Sequence, residues 1–160
     1  MQANIIPASL IVGGELVPAQ GALMTAGMFR MLGRAPIVGR LLEAGDGLDA
    51  IVISYAFWQR QFGGDPNVIG RSVFDGRRSL TIIGVMPREF LFPYPSMLRA
   101  TVTFTASSDV DFWAELSNIV AADRAFIDRN TRLIAVVARL KDGVGLDAAR
   151  ADVDVAWRAL

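Results

Sequence analysis

Apolar runs broken by glycine turns fill the first part of the chain, and this pattern predicts β-strands. Residues 5–26 are mostly apolar, with several β-branched side chains and Gly13-Gly14 in the middle. Such runs on either side of a glycine pair are typical of a β-hairpin. Residues 27–33 then favour one helical turn that ends at a glycine, and residues 34–40 read as an irregular crossing segment.

A short apolar strand at residues 51–53 leads directly into an amphipathic helix. Ser54 stands where its hydroxyl can accept a hydrogen bond from an amide of the first helical turn. Tyr55, Trp58 and Phe62 have the spacing of one helical face, which we predict packs on the core. Glycine can adopt the left-handed conformation that ends a helix, and proline prevents its continuation. The stop signals are Gly63, Gly64, Asp65 and Pro66.

A second hairpin is predicted at residues 73–85, because Asp75-Gly76 supplies the positive backbone angles of a two-residue turn. Residues 109–129 are charged and carry apolar side chains at helical spacing, which predicts a helix. The apolar positions of that segment are Phe112, Trp113, Leu116 and Ile119.

The C-terminal part predicts strand, turn and helix. Residues 132–140 are apolar on both faces, as in a central strand. Asp142-Gly143 turns the chain, and an apolar stripe then recurs every three or four residues. The stripe consists of Leu146, Ala149, Val153, Trp157 and Leu160. We expect strands at Ile51, Leu80 and Leu133 to form the sheet, and the helices to pack through Trp58 and Trp157.

Composition removes several classes of chemistry. The chain of 160 residues contains no cysteine and no histidine. Disulfides, thiol nucleophiles, Ser-His-Asp hydrolysis and histidine-ligated metals are therefore excluded for this chain alone. Sixteen basic residues balance sixteen acidic ones, so no net field favours nucleic-acid binding. No apolar run approaches the roughly 20 residues that cross a bilayer, and the N-terminus does not resemble a secretory signal.

The remaining chemical signals have ordinary structural explanations. Residues 143–148 match the spacing of a dinucleotide-binding loop, but Asp142 places an acid where phosphate would approach. Glu43, Asp46 and Asp49 lack the alternation of a calcium loop. A second acidic group suggests acid–base chemistry, but sequence neighbours on a polar segment are usually solvated. That group consists of Asp109, Asp111 and Glu115.

An ordered set of motifs resembles the MacB-like periplasmic core domain of ABC transporter permeases, related to FtsX, LolC and LolE. The resemblance covers roughly residues 8–93 and 131–155. Its motifs are Phe29-x-x-Leu32-Gly33-x-x-Pro36-x-x-Gly39-Arg40, Val52-Ile53-Ser54-Tyr55-x-Phe57-Trp58, Phe62-Gly63-Gly64-Asp65-Pro66-x-x-Ile69-Gly70, Asp75-Gly76, Ile83-Gly84-Val85-Met86-Pro87 and Val137-Ala138-Arg139-Leu140-Lys141-x-Gly143.

This resemblance implies an α+β fold with a porter-like βαβ lobe and an inserted, strand-rich second lobe. We expect a single extracytoplasmic core domain over residues 1–160, with the porter-like lobe at 1–92 and 131–160 and the second lobe at about 93–130. No catalytic, cofactor-binding or metal-binding residue is implied. The residues that we expect to define the structural motif are Trp58, Phe62, Gly63, Gly64, Asp65, Pro66, Gly70, Asp75 and Gly76.

The implied function is mechanical: the domain passes ATP-driven conformational change across the membrane to a substrate or partner protein. Its implied partners are the transmembrane helices of the same permease, a cytoplasmic ABC ATPase, and a periplasmic adaptor or lipoprotein, with no nucleic acid. The family's domain follows a membrane helix on the outer side of the bacterial inner membrane, so we expect this chain to be a fragment. Two alternatives remain: a free-standing module that binds a small ligand or peptide, and a cofactor-dependent enzyme that uses the loop at Gly143.

Overall fold

Eight strands and three helices make up the computed structural model, which describes residues 2–92, 110–116 and 135–158. In chain order the elements are β1 (Gln2–Val12), β2 (Glu15–Met24), α1 (Ala26–Leu32), β3 (Val38–Gly39), β4 (Ala50–Ile53), α2 (Tyr55–Phe62), β5 (Ser72–Phe74), β6 (Ser79–Val85), β7 (Phe112–Glu115), β8 (Ala135–Val136) and α3 (Leu146–Arg158). A short 3-10 helix, Pro66–Val68, lies between α2 and β5. The first hairpin, α1 and the strand–helix unit at α2 are confirmed.

The strand pairings close into a ring. In sheet order β2, β7, β4, β6, β5 and β1 follow one another, and β1 also pairs with β2. The β1–β2 hairpin runs from Ala3↔Met24 to Val12↔Glu15, whereas β1 meets β5 only at Ile11↔Phe74. Strands β4 and β6 are parallel, with α2 in the connection between them. The mixed fold and its βαβ unit are therefore confirmed.

One hydrophobic cluster lies on the inner face of the ring. Successive side chains of a strand point to opposite faces, and alternate positions of the ring strands meet in this cluster. Its buried strand members are Leu10, Ala19, Leu23, Ile51, Ile53, Val73, Leu80, Ile82, Val85, Phe112 and Ala114. Phe57 and Trp58 of α2 belong to the same cluster, so α2 is fixed to the ring by core contacts.

A second cluster covers the outer face of β2, β4 and β7. Trp113 is its largest side chain, and Phe29 of α1 contacts it edge to face with the ring centroids 6.3 Å apart. Phe90 contacts Trp113 in the same way at 5.1 Å. The indole Nε1 of Trp113 donates to the carbonyl of Phe92 at 3.0 Å. These contacts hold α1 and the segment after β6 against the sheet.

Residues 112–115 form a central strand, which corrects the predicted helix. β7 is parallel to β2 and antiparallel to β4. Phe112 and Ala114 enter the inner cluster while Trp113 enters the outer one. Because both faces are buried, the strand lacks the polar alternation that would have revealed it. Ile119 lies outside the described residues.

The predicted central strand at residues 132–140 is also wrong for residues 135–140, the part of it that the structure describes. Only Ala135–Val136 is a strand, and it lies last in the sheet order, paired with Gln2 and Ala3. Leu133 lies outside the described residues. The following helix α3 is confirmed, but Leu146 and Val153 on its apolar stripe are exposed. The predicted packing through Trp157 cannot be compared, because the Trp157 side chain is not among those that the structure describes.

Within residues 2–92, 110–116 and 135–158, no helix has the length and hydrophobicity needed to span a bilayer.

Candidate functional site

The helix α2 begins as predicted, and its predicted face packs on the core together with Phe57. Ser54 Oγ accepts a hydrogen bond from the Phe57 amide at 3.1 Å, which caps the first turn. Phe57 is 0% exposed and Trp58 is 8% exposed, whereas Tyr55 and Phe62 are only half-buried. The predicted contact of Tyr55, Trp58 and Phe62 with the core is therefore confirmed, and Phe57, which the spacing left out, is the most deeply buried side chain of the helix. The helix spans only Tyr55–Phe62, and its direct junction with β4 decides which side meets the core.

The residues after α2 form a tight connection that we call the Asp65 corner, residues 63–71. Gly63 ends the helix in the left-handed conformation, with φ 60°. Trp58 Nε1 donates to the Asp65 carbonyl at 2.9 Å. The Asp65 carboxylate accepts from the Asn67 amide at 2.9 Å and pairs with Arg71. These backbone and guanidinium contacts lower the pKa of Asp65.

The corner is joined to the central sheet at its far end. Gly70 has φ 86°, and its amide donates to the Ile82 carbonyl at 2.9 Å. The Ile82 amide in turn donates to the Arg71 carbonyl at 2.9 Å. The predicted motif residues from Trp58 to Gly70 thus lie in one continuous connection, which links α2 to β6. Asp75 and Gly76 belong to a separate turn.

That separate turn differs from the predicted two-residue type. Asp75 has no positive φ, and Gly76 alone supplies one, at 87°. Asp75 contributes its carboxylate instead, because Oδ1 accepts from the amides of Arg77 and Arg78 at 2.8 Å each. Burial raises the pKa of Asp75, but these amides and the Arg78 guanidinium outweigh it, so the pKa is lowered overall.

A buried carboxylate connects four parts of the molecule. Asp111 is 6% exposed, and its Oδ2 accepts from the Gln20 amide at 2.9 Å while Oδ1 accepts from Arg60 Nη2 at 2.7 Å. Its own amide donates to the Gln20 carbonyl, and its carbonyl accepts from the Ser54 amide, both at 2.8 Å. This set of contacts, the Asp111 junction, joins β2, β7, the start of α2 and the middle of α2.

The expected solvation of these carboxylates is therefore wrong. Glu115, at the other end of β7, is 1% exposed and accepts from the Ala26 amide at 3.3 Å. Sequence reasoning missed both roles because their partners are distant: Gln20 is 91 positions from Asp111, and Ala26 is 89 positions from Glu115. Asp109 lies outside the described residues. Asp111 and Glu115 accept hydrogen bonds from backbone amides, and Asp111 also from one guanidinium, which is a structural role.

The loop carboxylates after β3 also serve the backbone and an arginine. Both guanidinium nitrogens of Arg40 contact Asp46, at 2.7 and 2.6 Å, and the Glu43 amide donates to Asp46 at 2.8 Å. The Arg40 guanidinium lowers the pKa of Asp46, and Asp46 raises the pKa of Arg40. The described part of the chain brings together no group of three acidic side chains suited to a metal ion.

The glycine loop at residues 143–145 forms an ordinary turn and helix start. Gly143 has φ 80°, and the Val144 amide donates to the Lys141 carbonyl at 3.1 Å. The Ala149 amide donates to the Gly145 carbonyl at 3.1 Å, which starts α3.

A cleft of about 390 Å³ lies beside the Asp111 junction. Tyr55 and Gln59 of α2 form one wall, and Phe90 and Arg88 of the segment after β6 form the other. Trp113 and Asp111 lie at its base. The volume falls in the range of small-molecule sites, so the cleft is where the ligand-binding alternative would apply.

Several solved structures share this architecture, and two of them are periplasmic or extracellular transporter domains. The periplasmic region of MacB from Actinobacillus actinomycetemcomitans matches with a TM-score of 0.67 and 16% identity, over 99% of this chain and 65% of that one. The extracellular domain of the noncanonic ABC-type transporter YknZ from Gram-positive bacteria matches with a TM-score of 0.58 and 15% identity, over 98% of this chain and 76% of that one. At these identities the likeness shows the fold.

No curated protein sequence matches the chain significantly. A family model described as the MacB-like periplasmic core domain matches residues 3–156, which is nearly the full length. The ordered motifs, the mixed ring of strands and the two structural matches agree with that assignment. The chain therefore belongs to the MacB-like periplasmic core domains of ABC transporter permeases.

Proposed function

We propose that this domain is the non-catalytic, moving extracytoplasmic part of an ABC transporter permease. It passes conformational change driven by a cytoplasmic ABC ATPase on to a substrate or partner protein. Transmembrane helices of the same permease anchor it at the bacterial inner membrane, and a periplasmic adaptor or lipoprotein is its partner outside. The family assignment supports the setting, and the geometry of the ring supports the mechanical role.

The Asp111 junction is the observation that carries this proposal. A domain that transmits displacement must move as one body, with its elements fixed to one another. The junction joins strand, strand and helix through four hydrogen bonds between 2.7 and 2.9 Å. The Asp65 corner fixes the other end of α2 to β6. Movement of the sheet would therefore carry α2 with it.

The described polar groups support a non-catalytic role. Asp46, Asp65, Asp75 and Asp111 hold backbone amides and arginine side chains. An acid–base pair would need a carboxylate directed at a bound substrate. Here the carboxylates stabilise turns and junctions, as the motif residues Trp58 and Gly70 also do.

The division into two lobes is part of the proposal. Residues 110–116 fall inside the range assigned to the second lobe, yet β7 pairs within the ring. We keep the porter-like lobe at residues 1–92 and 131–160 and the second lobe at about 93–130, except that residues 112–115 belong to the ring.

Spin-label distances in the full-length permease with its ATPase test the mechanical role. This chain has no cysteine, so labels at Arg34→Cys and Arg77→Cys report within the domain, and a third label belongs on a flanking membrane helix. We expect the distance between the two domain labels to stay constant on ATP binding while their distances to the membrane helix change. Constant distances throughout would overturn the proposal, as would a domain that deforms internally.

The cleft beside the Asp111 junction supports a second candidate, a site for a small ligand or peptide. Aromatic side chains and one buried carboxylate converge there, and such mixed lining is typical of ligand sites. A screen monitored by tryptophan fluorescence tests it, because Trp113 lines the cleft. A ligand whose signal disappears in a Gln59→Trp variant would support this candidate, and binding unaffected by that variant would count against it.

A further inference from the structure

The ring has a gap between β1 and the β5–β6 hairpin. β1 pairs with β8 at Gln2 and Ala3 and with β5 at Ile11. Between these points, at residues 4–10, the outer edge of β1 has no strand partner within the described part of the chain. The ring is therefore closed at one end of β1 and open along its middle.

A proline makes the open edge a poor place for an added strand. Gln20 directs its amide and its carbonyl to Asp111, away from β1. The pair Pro7↔Gln20 is therefore a non-hydrogen-bonded pair, and the Pro7 nitrogen faces the open edge. Because proline has no amide hydrogen, a strand laid along this edge would lose a ladder hydrogen bond. An extended peptide is accordingly a poor occupant.

Behind the gap lies a cavity of about 360 Å³, lined by apolar side chains together with Ser9 and three charged side chains. Part of its apolar lining comes from the core of the ring and the side chains packed against it, namely Ile6, Leu23, Leu80, Phe112 and Ala114. This apolar part of the cavity suits an aliphatic chain.

The mouth of the cavity is cationic. Asp75, Arg77 and Arg78 lie on its rim. Arg78 pairs with Asp75 at 3.3 Å, whereas the exposed Arg77 forms no ion pair with any described residue. One positive charge is thus available at the entrance to an apolar interior. A molecule with an anionic head and an apolar tail complements both.

We propose that this cavity, the β1–β5 pocket, binds a long-chain aliphatic carboxylate. The tail occupies the space between Ile6, Leu80 and Phe112, and the carboxylate lies beside the Arg77 guanidinium. The pocket is separate from the cleft at the Asp111 junction, and the proposal does not depend on the transport role.

Titration of the purified 160-residue domain with dodecanoate, below its micelle concentration, tests the proposal by calorimetry and amide chemical shifts. We expect saturable binding of one molecule, with shifts concentrated at residues 6–9 and 80. Arg77→Glu should weaken binding at least tenfold, because it reverses the charge at the mouth. Its side chain is exposed, and the Arg77 amide that holds the turn is kept.

Arg34→Glu is the matched control, since Arg34 is also exposed but lies away from the pocket. Its affinity should equal that of the unaltered domain. Dodecyltrimethylammonium, with the same chain and the opposite charge, should bind at least tenfold more weakly than dodecanoate. Equal effects of the two variants, equal binding of the two amphiphiles, or shifts confined to the exposed stripe of α3 would each overturn the proposal.

Discussion

Arg60 Nη2 lies 2.7 Å from Asp111 Oδ1, and this ion pair joins residues 51 positions apart. The two partners contribute unequally to it. The Asp111 side chain is 9% exposed and the Arg60 side chain 50% exposed, and Arg60 also lies over the Phe57 ring at 5.6 Å. The carboxylate is therefore the member on which the junction depends.

Replacing Asp111 by alanine should destabilise the domain far more than replacing Arg60. Asp111→Ala leaves the partly buried amide of Gln20 without its carboxylate partner and frees Arg60, so we expect a loss of about 2–4 kcal/mol in the free energy of unfolding. Arg60→Ala breaks a half-exposed pair and should cost about 1 kcal/mol. Urea denaturation measures both, with Arg34→Ala as an unchanged control. Equal costs for the two variants would contradict this assignment.

The antiparallel pair of β3 and β6 should not tolerate a side chain at Gly84. A Cβ there would lie 2.1 Å from the Arg40 carbonyl oxygen, and backbone cannot move as a flexible side chain can. We expect Gly84→Ala to cost about 2–3 kcal/mol or more, since overpacking forces backbone shifts. Gly45→Ala is the control, because no atom lies within 4 Å of its added methyl group. Thermal unfolding that shows equal shifts for both variants would refute the prediction.

The hydroxyls of Ser54 and Thr25, the residues that precede α2 and α1, should contribute oppositely to the free energy of unfolding. Ser54 Oγ caps α2 by accepting the Phe57 amide, so Ser54→Ala should cost about 1 kcal/mol. Thr25 precedes α1 without capping it, and its buried Oγ1 has no hydrogen-bond partner within the described residues. Thr25→Val should therefore be neutral or mildly stabilising, because a methyl group replaces an unsatisfied hydroxyl and the shape of the side chain is kept. Chemical denaturation of the two variants distinguishes these expectations; a substantial loss in Thr25→Val would show that the hydroxyl has a partner.

Stability should fall in acid because three carboxyls are held ionised by the fold. The pKa values of Asp46, Asp65 and Asp75 are lower in the folded protein than usual. The unfolded chain therefore takes up protons first as the pH falls. The contribution of these groups is complete above about pH 4 and is lost as the pH falls through the folded-state values. Unfolding by urea between pH 7 and pH 2.5 measures this, and Asp75→Asn should reduce the acid-dependent part.

Local signals predicted the α2 region well, because each has its cause within a few residues. Ser54 caps the helix that follows it, Gly63 ends that helix, and Asp65 begins the next turn. The same holds for the Gly13-Gly14 hairpin. The deep burial of Phe57 was less predictable, since it depends on where β4 lies in the ring.

Distant pairings explain what the sequence pattern did not reveal. β7 carries Phe112 and Trp113 on opposite sides, and both sides are buried. Its apolar spacing therefore fits a helix as well as a strand. Asp111 reads as a surface residue until β2 and α2 are placed next to it. The Asp111 junction had no signal in the sequence, because three separate segments create it.

The proline at the open edge of β1 also affects how neighbouring copies meet. Unpaired strand edges are templates on which a second molecule can extend a sheet, and repeated extension leads to insoluble fibrils. Pro7 interrupts that template at the middle of an otherwise continuous edge. At high concentration Pro7 should therefore hinder edge-to-edge strand pairing between copies of this domain, even though part of the ring is open.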